Sequence, residues 1–258
     1  MDRKPILIEG AMRVETETFL AHMADCRECM IGKWPFVSGS YEGIPLVVCQ
    51  TQWGMANAAA CTALAMERFH PSAVISQGTA GGHDPSLHTF DVVVARRTVN
   101  ESAWQSEYRG RGEGSDYRAI RKLGVFAYDH EQGRFRQEVY HDCDRELVKA
   151  ALAAAPLYTR GKVTEGTIGT CDSWNCEADR ILFLHEFYGS AAEEMESDAV
   201  AQICRTYDVP FLSVRILSNS VFEGDIPWDL SAGPALQEYV LAVVREYAAA
   251  RCMGDQGA

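Results

Sequence analysis

Glu194-Met195-Glu196-Ser197-Asp198 opens a segment that places an acid where an apolar side chain is expected. Glu196, Ala199, Val200 and Ile203 fall at i, i+3, i+4 and i+7, the stripe by which a helix faces a core. A carboxylate at the head of that stripe is partly desolvated, and a charge kept there asks for a task. A short strand, residues 211–217, follows and ends in Ser218-Asn219. A buried acid and a strand-end amide, which offers a donor and an acceptor on one group, thus share one helix–strand unit. Far upstream, Glu15 follows Gly10-Ala11-Met12, and Gly78-Thr79-Ala80-Gly81-Gly82 follows another strand. That glycine run is neither a P-loop nor GxGxxG. It presents backbone N–H groups that a ligand can approach without meeting side chains.

The elements that must position these residues alternate between strand and helix. Apolar runs predict strands over 5–8, 45–49, 73–76, 91–95, 162–168 and 211–217. Helical spacing predicts helices over 13–23, 55–69, 145–155, 176–187, 194–207 and 234–250, and residues 100–117 read as a polar, glycine-rich loop. The alternation argues for an α/β fold, a single domain over 1–258 with a mixed central β-sheet flanked by helices. Ligands in such folds sit beyond the carboxyl ends of strands. Here those ends fall after Ile8, Ser76, Ile168 and Leu217, and all carry glycines or polar residues.

Composition narrows the partners. The chain has 258 residues, 47 % hydrophobic content and a formal net charge of −12. That balance disfavours nucleic acid and anionic membrane, both of which need basic patches. A small neutral or zwitterionic ligand fits better. Apolar stretches are strand-sized, and the first residues lack an apolar signal core, so the expectation is a cytoplasmic protein. The nine cysteines are irregularly spaced, and Cys26-Arg27-Glu28-Cys29 has no second pair to complete a zinc set. His83, His88 and His141 lack ligand spacing too, so neither metal nor cofactor is expected.

Gly10-Ala11-Met12 with Glu15, the glycine run, Glu194-Met195-Glu196 and Arg215-Ile216-Leu217-Ser218-Asn219 occur in one order and spacing. On these residues the chain resembles the purine nucleoside phosphorylase/uridine phosphorylase superfamily, and most closely its methylthioadenosine/S-adenosylhomocysteine nucleosidases, over most of residues 5–250. The resemblance implies N-glycosidic hydrolysis of a nucleoside by a homodimer. It implies Glu15 as the base that activates water, aided by Thr79 and Arg215. It places Glu196 on the ribose hydroxyls, Met195 and Met12 against the sugar, and Glu194 ordering water or ribose. Trp53 would line the sugar pocket, and Trp174 would meet the base. Ala80, Gly81 and Ser218 would complete the binding surface, with Asn219 at purine N7. Each residue also has a structural reading: Glu15 and Glu194 as first-turn helix acids, both tryptophans as packing, Arg215 as an ion-pair partner on a strand face.

The relatives' phosphorylases carry an arginine before the glycine run, where this chain has Ser76-Gln77; Arg13 is the nearest substitute. Phosphate wants guanidinium groups, so water is the expected nucleophile. Asn219 departs from the family's aspartic acid and cannot pass on a proton. It can pair with adenine or, flipped, with a 6-oxopurine. The expected substrates are 5′-substituted adenine nucleosides. A 6-oxopurine nucleoside such as futalosine or inosine is the alternative, and a nucleoside-binding member without catalysis is another. The 5′ pocket is expected near 98–108 and 220–228, with Trp104 and Phe222 on its wall. An acidic pair, Glu223 and Asp225, is expected to suit an ammonium-bearing tail.

Overall fold

The computed structural model describes residues 4–224 and 228–255. In chain order its elements are β1 (Ile6–Gly10), a 3₁₀ turn (Arg13–Glu15), α1 (Glu17–His22), β2 (Ala24–Ile31), β3 (Trp34–Tyr41), β4 (Ile44–Gln50), α2 (Met55–Phe69), β5 (Ala73–Gly82) and β6 (Val92–Asn100). Then come β7 (Trp104–Ser106), β8 (Ile120–Lys122), β9 (Val125–Asp129), β10 (Arg134–Glu138), β11 (Tyr140–Asp142), α3 (Arg145–Ala154) and β12 (Val163–Thr170). The chain ends with α4 (Ala178–Tyr188), β13 (Ser190–Glu194), α5 (Ser197–Thr206), β14 (Phe211–Asn219) and α6 (Ala232–Asp255).

The mixed sheet and flanking helices match the expected class, and the sheet also closes on itself. It runs β11-β6-β12-β13-β5-β1-β4-β3-β2, while β14 pairs with both β5 and β6. Strands β5, β14, β6, β12 and β13 therefore form a ring, closed by antiparallel contacts of β13 with β5 and of β14 with β6. Closure brings the ends of distant strands to one rim, while β2 and β11 remain as edges. The apolar runs Ile6-Leu7-Ile8, Val74-Ile75 and Val92-Val93-Val94 are all buried, as strands covered on both faces must be. In α2 the buried residues Ala58, Cys61, Thr62, Ala65 and Met66 form one helical face, and that helix packs on α5. His70 ends α2 in the left-handed region, with its N–H on the Met66 carbonyl. The long α6 buries Leu236, Val240, Val243, Val244 and Tyr247 and packs along α3.

Several expectations are corrected. The glycine run is not a loop, because β5 continues through Gly82. Glu194 does not start a helix but ends β13, and α5 begins at Ser197 with Glu196 at its N-cap. Glu196 is buried nonetheless, because the cap lies over the same inward face as Val200. Strands β2 and β3 went unread. The outer one, β2, is largely exposed and has no alternating pattern to show it. The 100–117 stretch contains β7.

Candidate active site

A cavity opens at the rim of the strand ring. Its walls include Met12 and Glu15 from the β1 end, Thr79, Ala80 and Gly81 from β5, and Glu194, Met195 and Glu196 from the β13–α5 junction. Ser218 and Asn219 come from the end of β14, with Trp53 and Trp174 from loops. Twelve of the thirteen residues singled out in the sequence thus meet in one place. Arg215 is not among the lining residues described. It lies just behind the wall, 1 % exposed.

Glu15 is buried on the 3₁₀ turn after β1 and accepts four hydrogen bonds. Oε2 takes the backbone N–H groups of Ala11 (2.9 Å) and Met12 (3.1 Å), and Oε1 takes the N–H (2.8 Å) and hydroxyl (3.0 Å) of Thr79. Gln77 holds the turn by donating its Nε2 to the Glu15 carbonyl, 2.7 Å away. The carboxylate is therefore fixed in orientation before any ligand arrives. Gly78 makes this possible: a Cβ there would stand 2.7 Å from both Glu15 Oε1 and Arg215 Nη1.

Arg215 organises the other two acids. Its Nη2 lies 2.6 Å from Glu194 Oε2 and donates to Ser76 and Ser197, and its Nη1 lies 3.6 Å from Glu196 Oε2. Glu194 also accepts the N–H groups of Glu196 (3.0 Å) and Ser197 (2.9 Å), so it caps α5 from the end of β13. Glu196 is less occupied. Its Oε1 accepts the N–H of Gly54 (3.0 Å), which begins α2. Burial, reinforced by the charge of Glu194 and only partly offset by Arg215, raises its pKa to about 8.

The far side of the cavity is different. In the ladder, Glu193 and Asn219 both pair with Gly81, from opposite sides of β5. Asn219 Oδ1 accepts from Ser218 (3.1 Å). Its Nδ2 stands 3.6 Å from where a Gly81 Cβ would be, an ordinary contact distance. Trp228 bridges Trp53 and Trp174 edge-to-face, with centroids 5.9 and 5.6 Å apart. Trp53 and Trp174 are half exposed, at 51 % and 56 %, and form a rim rather than a core.

Sequence reasoning missed Trp228, His83, Asn175 and Glu193, all of which line the cavity. His83 and Glu193 adjoin motifs already singled out, which was the available signal. Trp228 falls at the end of the 220–228 segment expected near the pocket but was not singled out, since only the fold brings it to Trp53. Trp104 and Phe222 are not in the wall as described, where Val221 stands instead. Glu223 is turned away, accepting from Thr89 N–H (2.9 Å) and hydroxyl (2.6 Å) beside His88. Its expected partner Asp225 lies outside the described residues. Arg13 points outward, its side chain 84 % exposed and 3.5 Å from Glu17. Burial pushes the His83 pKa down to about 3 and raises those of Glu101 and Glu193.

A closed strand ring flanked by helices defines a fold class, and comparison with known proteins gives its family. The sequence matches the family model of the phosphorylase superfamily over residues 5–251. It is 33 % identical, over 87 % of its length and 90 % of the relative's, to a 5′-methylthioadenosine/S-adenosylhomocysteine nucleosidase of Shewanella loihica. Among solved structures, the corresponding nucleosidase of Colwellia psychrerythraea in complex with adenine superposes with a TM-score of 0.76 at 24 % identity, covering 95 % of this chain and 96 % of that one. Futalosine hydrolase of Helicobacter pylori superposes at 0.75 with 22 % identity, covering 94 % and 98 %. These two likenesses concern the fold. The chain belongs to the phosphorylase superfamily, in its methylthioadenosine/S-adenosylhomocysteine nucleosidase branch.

Proposed function

We propose that the protein hydrolyses the N-glycosidic bond of 5′-substituted adenine nucleosides, methylthioadenosine and S-adenosylhomocysteine, releasing adenine and the thioribose. The observation that carries this reading is that Glu15 and Glu196, far apart in the chain, open onto one cavity at Thr79 and Met195. Bond cleavage builds positive charge on the sugar and negative charge on the purine. Water attacks C1′, Glu15 takes its proton, and the bonding pair leaves with the base. Glu196 accepts from the ribose hydroxyls, Met12 and Met195 pack against the sugar, and Glu194 with Arg215 holds Glu196 in place. Trp174 stacks with the base, and Trp53 closes the sugar side. Ala80, Gly81 and Ser218 shape the floor, and Asn219 donates to N7. An amide cannot hand over a proton, so the base takes its proton from solvent.

Water rather than phosphate is supported by the wall itself. Glu15, Glu193, Glu194 and Glu196 line it, Arg215 is committed to Glu194, and Arg13 faces solvent. Asn219 favours a second reading, a 6-oxopurine nucleoside such as futalosine or inosine, because an amide can turn to serve either base edge. A cytoplasmic homodimer with one nucleosidase domain over 1–258 and no cofactor in the hydrolysis completes the proposal. Among the described residues no helix is long and apolar enough to cross a membrane. A base-release assay on methylthioadenosine, S-adenosylhomocysteine, inosine and futalosine, with and without phosphate, tests it. Release of adenine without phosphate is expected. Strict phosphate dependence would overturn the hydrolase reading, and binding without release from any nucleoside would leave a non-catalytic binder.

A further inference from the structure

The wall of the cavity holds a second group of side chains that the proposed hydrolysis leaves unused. His83 follows β5, Glu101 follows β6 and Glu193 lies on β13; all three are buried, and their ligand atoms lie within 4.8 Å of one another. Glu101 is 3 % exposed, and neither of its carboxyl oxygens has a partner within 3.5 Å, Ser190 and Glu193 being its polar neighbours. A buried carboxyl in that state is costly unless something else engages it. Its placement is built in. The Glu101 N–H donates to the Thr170 carbonyl (2.9 Å), and its carboxyl fills the space over Gly169, where a Cβ would collide with it. His83 Nδ1 lies 3.2 Å from the Ser190 hydroxyl, which turns Nε2 toward Glu193 Oε2, 3.5 Å away. Glu193 is anchored from outside by Asn175 Nδ2 (2.5 Å) and the Cys171 thiol (3.2 Å). Three donors, each oriented by an outer partner or by packing, are the arrangement in which metal ligands are held.

We propose that His83 Nε2 and the carboxylates of Glu101 and Glu193 bind one divalent transition cation in the cavity wall. One imidazole nitrogen with two carboxylates suits the manganese-to-zinc series better than magnesium or calcium, which favour all-oxygen sets. The cation balances two buried carboxylate charges and engages the orphaned oxygens of Glu101. His83 and Glu193 face the cavity. A three-residue set leaves positions for water or for a lone-pair atom of whatever the cavity holds. No earlier sequence signal marked the site, because closure of the strand ring brings three separate strands together.

The test uses full-length protein without a histidine tag, produced with manganese, iron, cobalt and zinc supplied and purified without chelator. Elemental analysis is expected to find roughly one equivalent of a single transition metal. Chelator-stripped protein should bind Mn²⁺, seen by electron paramagnetic resonance, with a rise in melting temperature. Glu101→Gln and His83→Asn, shown folded by circular dichroism, should each lose affinity by about tenfold or more. If Glu101→Gln does not fold, His83→Asn carries the test. Failure of stripped wild type to bind Mn²⁺ or Zn²⁺ at millimolar concentration, or wild-type affinity in both variants, overturns the proposal. A Glu101→Gln protein more stable than metal-free wild type, with no metal in either, identifies a proton shared by Glu101 and Glu193 instead. None of these readouts depends on nucleoside turnover, so failure here leaves the hydrolase reading untouched.

Discussion

Glu15 accepts two hydrogen bonds on each carboxylate oxygen, and that symmetry decides what its amide would do. In Glu15→Gln the new NH₂ faces two N–H groups if it points to Ala11 and Met12, and the N–H of Thr79 if it points the other way. Donor meets donor in either orientation, so the variant should lose about 1–3 kcal/mol of stability. It should also lose roughly 10² to 10⁴ in kcat by removing the proton acceptor. Denaturant melts and single-turnover assays would separate the two effects; a folded Glu15→Gln enzyme with wild-type kcat would remove Glu15 from the mechanism. Asn219 makes the complementary case. Asn219→Asp restores a group that can pass a proton to the departing base and removes the amide donor that a 6-oxo group needs. Turnover of methylthioadenosine should rise and that of inosine or futalosine should fall. An unchanged ratio of kcat/KM between the two base classes would sink the placement of Asn219 at N7.

At the scale of elements, the critical feature is how closely β5 passes Glu15 and Arg215. Gly78→Ala would put a methyl group 2.7 Å from both Glu15 Oε1 and Arg215 Nη1, and neither is free to retreat. We expect the carboxylate to be pushed off Thr79 and kcat to fall by about 10²-fold, the cost of a displaced catalytic group, while the ring of strands stays intact by circular dichroism. Full activity in Gly78→Ala would mean that Glu15 needs no such fixed pose. The strands β1, β6 and β14 were readable because burial on both faces leaves an apolar run, and α2 because its apolar residues recur at helical spacing. Others were not. Ser190–Glu194 has no β-branched residue and two acids, so 190–193 went unread and Glu194 read as part of the next helix, although pairing with β12 and β5 makes the segment a strand. The acids of the site were legible because they sit at element ends within short motifs. His83, Glu101, Glu193 and Trp228 were not, because their meeting depends on which strands close the ring.

Across the whole molecule, buried acids set the pH at which the fold is strongest. Burial raises Glu196 to about 8, and burial raises Glu9, on β1, to about 8 as well. Both start from an ordinary value of 4.5, so between about 4.5 and 8 the folded chain holds protons that the unfolded chain has released. Their contribution is complete below about pH 4.5 and is lost as pH rises through 8. Asp84 and Asp229 are shifted the other way, downward by hydrogen bonds from Ser86 and Ser231 working against burial, so their contribution is lost in acid. His83, pushed down to about 3 by burial, acts in the same direction as these two below its ordinary 6.5, so stability should peak on the acid side of neutral. Glu9 is the cleaner probe because it does not line the cavity. The Thr62 hydroxyl lies 2.7 Å from the Ala58 carbonyl and 3.0 Å from Glu9 Oε1, and its single proton can serve only one of them. Where it serves Glu9, together with the Cys49 thiol 3.8 Å from the same oxygen, it favours the ionised carboxyl, and burial outweighs both. Glu9→Gln keeps a donor at every pH. In urea melts at pH 5.5, 7.0 and 8.5, wild type should weaken steadily, by about 1.4 kcal/mol per pH unit for each such group at most. Glu9→Gln should lose the share of that slope that Glu9 supplies, while the buried acids Glu101, Glu193 and Glu196 keep theirs. An equal slope in both proteins would mean that Glu9 is already ionised in the fold.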